Sequence, residues 1–260
     1  MIYIGLPGRN SHPVFHLPPP KGSTCLPAGA EKLYANLLTA LANAVQQNDS
    51  AEDHSKGYAL SHNPELGKNQ LATHDYAVGH VSLLQTALTQ CRTAENREAA
   101  AQILGYANPS KTQILALVRA SRDSDDIVRN NAIRALWLIA SSGNKARRFI
   151  PARAFVPMLN SEKWGDRNKS GLLLAAMAGT RDPKLLSQLR NETFDSLIEM
   201  AKWHDPSHAE PYRELLGKIA GLGDDRIREL VTHGQLDELI SEAKGTAPKS
   251  AQSCSRREQQ

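Results

Sequence analysis

The sequence predicts an all-α fold built as a solenoid of stacked helix pairs. Three observations carry that expectation. An arginine followed by small or apolar residues at +3 and +7 recurs at Arg97, Arg129, Arg167 and, more loosely, Arg213. The recurrence interval is roughly 30 to 50 residues, the period of helix-pair repeats. An Asn-Pro or Asp-Pro step, a cap followed by the one helical position where proline suits, occurs at Asn63, Asn108 and Asp182. Strand signals are almost absent, with no hairpin dipeptide between apolar runs and no sustained alternation of period two.

Residues 1–30 carry six of the 14 prolines, including Pro18-Pro19-Pro20, and no apolar periodicity. They predict a disordered or irregular N-terminal arm whose removal leaves stability nearly unchanged. No run of apolar residues approaches the roughly 20 needed to cross a bilayer, so no membrane span is expected. The chain also lacks a signal-peptide pattern, which makes the cytoplasm the default compartment. A start codon placed too late would hide a leader and make the protein secreted or periplasmic.

The formal net charge of +4 is concentrated at the ends. Arg9 and Lys21 are the only charges of residues 1–30. Lys244, Lys249, Arg256 and Arg257 outnumber Glu258 in residues 244–260, which predict a disordered basic tail. The span between them is close to neutral. A nucleic-acid-binding fold would concentrate its cations on the folded part, so no nucleic-acid partner is expected. Cys25, Cys91 and Cys254 are odd in number and widely spaced, which predicts reduced thiols rather than a disulfide framework or a metal site.

Residues 31–80 predict N-terminal helices interrupted by a polar loop. Leu33, Leu37, Leu38 and Leu41 recur at helical spacing in the first helix; a loop follows over residues 48–61; a second helix starts at Asn63-Pro64. From residue 81 to 243 the repeat pattern runs. Its best unit pairs a helix from the Asn108-Pro109 cap, with Ile114, Leu115, Leu117 and Val118 on one face, with a second helix that follows Asp123–Asp126. Acids at that second N-terminus suit both the cap and the positive end of the helix dipole. On the second helix Val128, Ala132, Leu136 and Ile139 form the core stripe and Arg129 lies on its flank. There its stem can cover apolar surface while its head bonds turn carboxylates of a neighbouring repeat. An apolar helix over residues 152–159 and another over 194–203 complete later pairs. Gly221-Leu-Gly223 predicts a helix stop rather than a phosphate cradle.

The segment Asp-Asp-Ile-Val-Arg-Asn-Asn-Ala-Ile-Arg-Ala-Leu of residues 125–136 resembles the second half of a HEAT repeat of the phycobilisome-lyase type. Residues 150–160, Trp164-Gly-Asp-Arg-Asn-Lys169 and Ile219-Ala-Gly221 are similar to an uncharacterised bacterial family of HEAT-repeat proteins. Gly57-Tyr-Ala-Leu-Ser61 is similar to that family's N-terminal part. The resemblance implies an armadillo-like right-handed superhelix over about residues 31–222 and implies no activity.

No catalytic constellation stands out. His204 and His208 are separated by Pro206, and His74 and His80 fall on different faces, so no metal site is expected. No nucleophile elbow and no cofactor motif occurs. The function expected is therefore a non-catalytic scaffold holding a protein partner through its repeat surface. The contacts are expected on the side of the second helices away from the core. Asn130, Arg134 and Trp137 occupy it in the best repeat, Glu98 and Gln102 in the preceding one, and Asn168 in the following one. Amides and an arginine beside an exposed tryptophan are hot-spot chemistry. The alternative is an enzyme, or a subunit serving one, with a site near residues 48–80. A closed pocket of convergent polar groups there would favour it.

Overall fold

The computed structural model describes residues 14–245, and among them the chain is helical apart from one two-residue hairpin. It divides into two compact units, Met1–Thr180 and Arg181–Gln260.

The first unit begins with an extended segment over residues 14–27 and continues into α1 (Ala28–Gln46). A hairpin of β1 (Glu52–Asp53) and β2 (Leu60–Ser61) follows, antiparallel with Glu52 opposite Ser61. Helices α2 (Pro64–Gly79), α3 (Val81–Gln90), α4 (Ala94–Leu104), α5 (Lys111–Ala120) and α6 (Asp126–Ser141) come next. Two 3-10 segments (Lys145–Phe149 and Ala152–Asn160) and α7 (Trp164–Ala178) end the unit.

The helix starts follow from cap chemistry, with one correction. At α2, Asn63 accepts a hydrogen bond from the Leu66 N–H at 3.0 Å and Pro64 takes the first helical position. At α5 the expected Asn108-Pro109 start is displaced to Ser110. Ser110 and Gln113 form a reciprocal capping box, which satisfies two orphan backbone groups where Asn108 would satisfy one. Gln113 Nε2 also donates to the carbonyls of Leu104 (2.7 Å) and Ala107 (3.2 Å), closing the end of α4. Residues 152–159 were expected to be α-helical and are a 3-10 segment instead. Pro157 inside it lacks the N–H that an α-helical ladder requires.

Packing runs by pairs. α3 packs on α4, α5 on α6, and the second 3-10 segment on α7; the second members α4, α6 and α7 pack in succession. Val128, Ala132, Leu136 and Ile139 are all fully buried, the stripe that helical periodicity predicts. α4 and α6 approach closely because residue 105 is glycine. A Cβ there would lie 2.8 Å from that of Ala135.

The repeating arginines are clips between these pairs. Arg97 and Arg129 are each 1% exposed. Arg97 holds both Asp123 carboxylate oxygens at 2.8 Å through Nε and NH2, and its NH1 bonds the carbonyls of Cys91 and Arg92. Arg129 repeats the arrangement one pair later. Its Nε donates to Asp166 at 2.9 Å and its NH1 to the carbonyls of Asp123 and Ser124. Each guanidinium thus satisfies the turn before its own helix and reaches a carboxylate of the next pair. Burying the charge is tolerable because it is paired and hydrogen-bonded.

The arm departs from expectation in two ways. Residues 14–27 are pinned: Leu17 N–H donates to the Arg122 carbonyl (2.6 Å), Arg92 N–H to Gly22 (2.9 Å), and Leu26 N–H to Asn96 Oδ1 (2.7 Å). Cys25 and Cys91, expected as thiols, are joined in a disulfide with Cα atoms 4.9 Å apart. Sequence spacing cannot show this pairing, because it depends on the arm folding back across helices far along the chain. Residues 1–13, Cys254 and all of the basic tail beyond residue 245 lie outside the described residues.

The second unit contains α8 (Pro183–Ala201), α9 (Pro206–Ile219), α10 (Asp224–Thr232) and α11 (Leu236–Gly245). Asp182 and Asp205 cap the first two, each with proline behind it. α8 and α9 form an antiparallel pair over Leu189, Leu197, Tyr212 and Leu216. Gly221, at φ +75°, ends the α9 region in a Schellman turn: Leu222 N–H bonds Gly217 O and Gly221 N–H bonds Lys218 O, both at 3.0 Å. Arg213 Nε donates to the Ala201 carbonyl at 3.0 Å, so the fourth arginine keeps the turn contact of the series.

Candidate functional site

Two of the six expected contact residues, Gln102 and Arg134, meet where α4 packs on α6, but not on the open surface expected. Gln102 on α4 and Asn131 and Arg134 on α6 line a shallow dimple of about 10 Å³, with Tyr106 beside them. That is room for about one water molecule. Gly105 and Ala135, the point of closest approach of the two helices, also line it.

The β1–β2 hairpin roofs one side of this face. Glu52 at the start of β1 reaches Arg134, with Oε2 2.5 Å from NH2. Its other oxygen accepts from Gln70 Nε2 at 2.8 Å, and Gln70 Oε1 in turn accepts from the Ser61 N–H at 2.6 Å. His54 lies against Trp137 edge to face, ring centroids 4.9 Å apart, with its Nε2 3.8 Å from Glu52 Oε2. Trp137 is therefore half-buried under the hairpin rather than exposed. Helical periodicity places it away from the core correctly; what it cannot show is a segment from 80 residues earlier folding over it.

Asn168 needs a firmer correction. It is 2% exposed and offers no surface to a partner. The neighbouring Lys169 is the α7 residue that comes near Arg134 and Glu52 instead. Lys169 is half-buried, close enough to Arg134 and Glu52 to be governed by their charges, and makes no hydrogen bond or ion pair among the described residues. Burial and the neighbouring Arg134 lower its ammonium to about 8, against a smaller opposing pull from Glu52.

The other titrating groups are set by the same neighbours. Burial acts to raise the Glu52 carboxyl, but the nearby His54 ring, the Arg134 charge and the Gln70 hydrogen bond hold it below its ordinary value. Burial pushes the Tyr106 phenol up to about 12. Tyr106 sits beneath a stack in which Tyr58 lies on His74 at 4.4 Å, while His74 Nδ1 meets the Tyr106 carbonyl at 2.7 Å. Tyr58, Gln70 and Tyr106, all buried, are the site residues that sequence reading passed over.

The remaining expected residues lie toward the helix N-termini. Asn130 is half-buried, and Glu98 is half-buried near Asp125, Asp126 and Glu95. Burial, then Asp125 and Glu95, raise the Glu98 carboxyl above its usual range. Asn131 Nδ2 bridges the two helices by donating to the Glu98 carbonyl at 3.2 Å. The same Nδ2 lies 3.5 Å from the Tyr34 hydroxyl, so α1 packs beside Glu98 and Asn131 at this end. Among the described residues no group of three or more His, Cys, Asp or Glu side chains could hold a metal ion. No helix of these residues is long and apolar enough to cross a membrane.

No family model and no curated protein matches the chain. Among solved structures, an engineered protein from a structural genomics consortium is similar at TM-score 0.45 and 17% identity, covering 84% of this chain and 95% of that one. A likeness that loose carries no argument about fold or function.

Proposed function

We propose that the chain is a HEAT-type repeat scaffold that holds a protein partner on the outward face of α4, α6 and α7. The arginine clips support the repeat reading: each links one helix pair to the next in the same way, as a solenoid of nearest-neighbour units requires. The observation that carries the binding reading is the set of donors left unused beside Trp137. Arg97 and Arg129 direct their guanidinium groups to carboxylates and carbonyls in the core. Among the described residues Arg134 makes one hydrogen bond, to Glu52, and Lys169 makes none. A tryptophan flanked by unused cationic donors is the composition of a protein-binding hot spot.

The test is capture of partners from a native lysate by the immobilised protein. Replacing Arg134 and Trp137 by alanine should weaken capture by about 2 kcal/mol or more, roughly thirtyfold, without loss of helicity. Arg129→Ala should lower stability yet spare binding by the folded fraction. Capture that survives the double replacement overturns the assignment of the face.

A second reading, an enzyme, draws on the shifted Glu52, Tyr106 and Lys169; Glu52 lies within residues 48–80, the segment expected to hold such a site. The dimple beside them is too small to enclose a substrate, so the scaffold reading is preferred. For compartment, Cys25–Cys91 favours an oxidising one, secreted or periplasmic, over the cytoplasm expected by default.

A further inference from the structure

We infer that the outer side of α5, together with the first 3-10 segment, docks on an anionic lipid bilayer surface. This strip is separate from the α4, α6 and α7 face and does not depend on the scaffold reading.

The strip is rooted in the charge pattern of the chain. Residues 99–122 and 127–161 contain no aspartate or glutamate. Of the cations they hold, Arg129, Arg134 and Arg147 are engaged by Asp166, Glu52 and the Ala176 carbonyl. Lys111, Arg119, Arg122, Lys145 and Arg148 are exposed and make no ion pair among the described residues.

Local geometry gathers these five. Gln113, Ile114, Leu117 and Ala120 turn one side of α5 into the core. Lys111, Leu115 and Arg119, at i, i+4 and i+8, run down the opposite side, and Arg122 follows just beyond the helix. Leu115, which the sequence places with the core residues, is 49% exposed between the cations. The segment Lys145–Phe149 packs on α5. Its three-residue turn sets Lys145 and Arg148 on one side. The Phe149 ring joins the two elements: Lys111 Nζ lies 5.7 Å and the Arg148 guanidinium 4.8 Å from its centroid.

At the far end, Leu17 N–H bonds the Arg122 carbonyl, which brings the arm and its Phe15, 71% exposed, to the edge of the strip. The acids nearest in sequence follow Arg122. Asp123 is held by Arg97 and Asp125 caps α6, so Asp126 is the exposed acid against five exposed cations.

Cations set around exposed apolar side chains fit a planar anionic surface. The charges meet headgroups while Leu115 and Phe15 reach the acyl boundary. Nucleic acid fits less well. Phe149 is half-buried and already serves two cations, so it offers no open ring to a base. An exposed leucine gains nothing against phosphates. Docking of this kind needs no spanning helix, and none of the described helices is long and apolar enough to span.

The experiment is co-sedimentation of the whole protein with vesicles of equal parts phosphatidylcholine and phosphatidylglycerol, and with vesicles of phosphatidylcholine alone. Binding should require phosphatidylglycerol and weaken as salt rises. Each cation at such a surface contributes about fivefold in affinity. Arg119→Gln with Lys145→Gln, which leaves the Phe149 ring contacts in place, should therefore weaken binding at least about tenfold. Lys32→Gln with Lys68→Gln removes the same charge from α1 and α2 and should change it less than about twofold. Leu115→Ser should weaken it about threefold or more with the salt dependence unchanged. Circular dichroism checks that each variant is folded. The basic tail is present in every variant, so binding carried by the tail would survive the strip substitutions. Absence of vesicle binding, equal binding to phosphatidylcholine alone, or an Arg119/Lys145 variant that binds like wild type overturns the inference. So does an equal loss in the Lys32/Lys68 variant. Tighter binding of a duplex oligonucleotide, lost with Arg119 and Lys145, would make the strip a nucleic-acid surface instead.

Discussion

Breaking the Cys25–Cys91 disulfide should cost the first unit about 4 kcal/mol. The bridge closes a loop with a sequence separation of 66 residues. In the chain-entropy treatment a loop of that length removes about 15 cal/mol/K from the unfolded ensemble, which is about 4 kcal/mol at 25 °C. The arm's hydrogen bonds at Leu17, Gly22 and Leu26 involve no sulfur, so the helices should survive and the loss should appear in stability alone. For a unit of this size the expected fall in melting temperature is roughly 8–16 °C. The assay is urea denaturation followed by far-UV circular dichroism, comparing oxidised protein with protein reduced and alkylated, and with Cys25→Ser. Thiol titration of the oxidised protein should leave one of its three cysteines reactive. Coincident denaturation curves, or three reactive thiols in protein prepared without reductant, would refute the reasoning and return the cysteines to independent roles.

Arg129→Met should destabilise by about 3–5 kcal/mol, because Asp166, 2% exposed, would keep a buried charge with the Ser161 hydroxyl but without its guanidinium partner. Adding Asp166→Leu should recover much of that loss in a chemical denaturation series. Leu136→Asp should cost several kcal/mol and lower the melting temperature sharply, since residue 136 is fully buried and offers a carboxylate no partner. Lys169 supplies a pH test whose sign is fixed. Its ammonium is lowered from 10.5 to about 8 on folding, so between those values the unfolded chain binds more protons and stability rises with pH. Lys169→Met should therefore be more stable than wild type near neutral pH, with an advantage that fades as pH climbs toward 10.5. An advantage constant across that range would mean the ammonium is not perturbed.

The helical class was legible because periodicity and caps are local. The stripe of Val128, Ala132, Leu136 and Ile139 needs only knowledge of a helix to be placed inward, and Arg129 on its flank follows from the same wheel. The choice of Ser110 over Asn108 as a cap is also local: two cap signals lie two positions apart, and the reciprocal Ser-x-x-Gln box outcompetes the Asn-Pro step because it satisfies two backbone groups. The site was only half legible. Arg134 and Trp137 could be put on the outward side, but Glu52, Gln70 and His54 reach them by long-range docking of the hairpin, for which no periodicity exists. Asn168 was misplaced because repeat alignment assigns equivalent positions equal exposure, and α7 does not honour that equivalence. Lys169, one position along, is the α7 residue that comes near Arg134 and Glu52 instead.

The arm also constrains the order in which the chain can assemble. Its contacts run backwards against the helix pairs: His16 lies 3.9 Å from Asp166 at the start of α7, Leu17 bonds the turn before α6, and Gly22 and Cys25 meet the turn before α4. On a ribosome the first of these residues emerge early, and their docking sites are made last. Gly22 and Cys25 can dock once the turn before α4 is made, but His16 must wait, unpaired, until α7 exists. Such contacts raise the contact order of an otherwise local helical fold and should give it a slow late phase. Cys25 would meanwhile be an accessible thiol beside a growing chain, open to pairing with the wrong sulfur until Cys91 is in place.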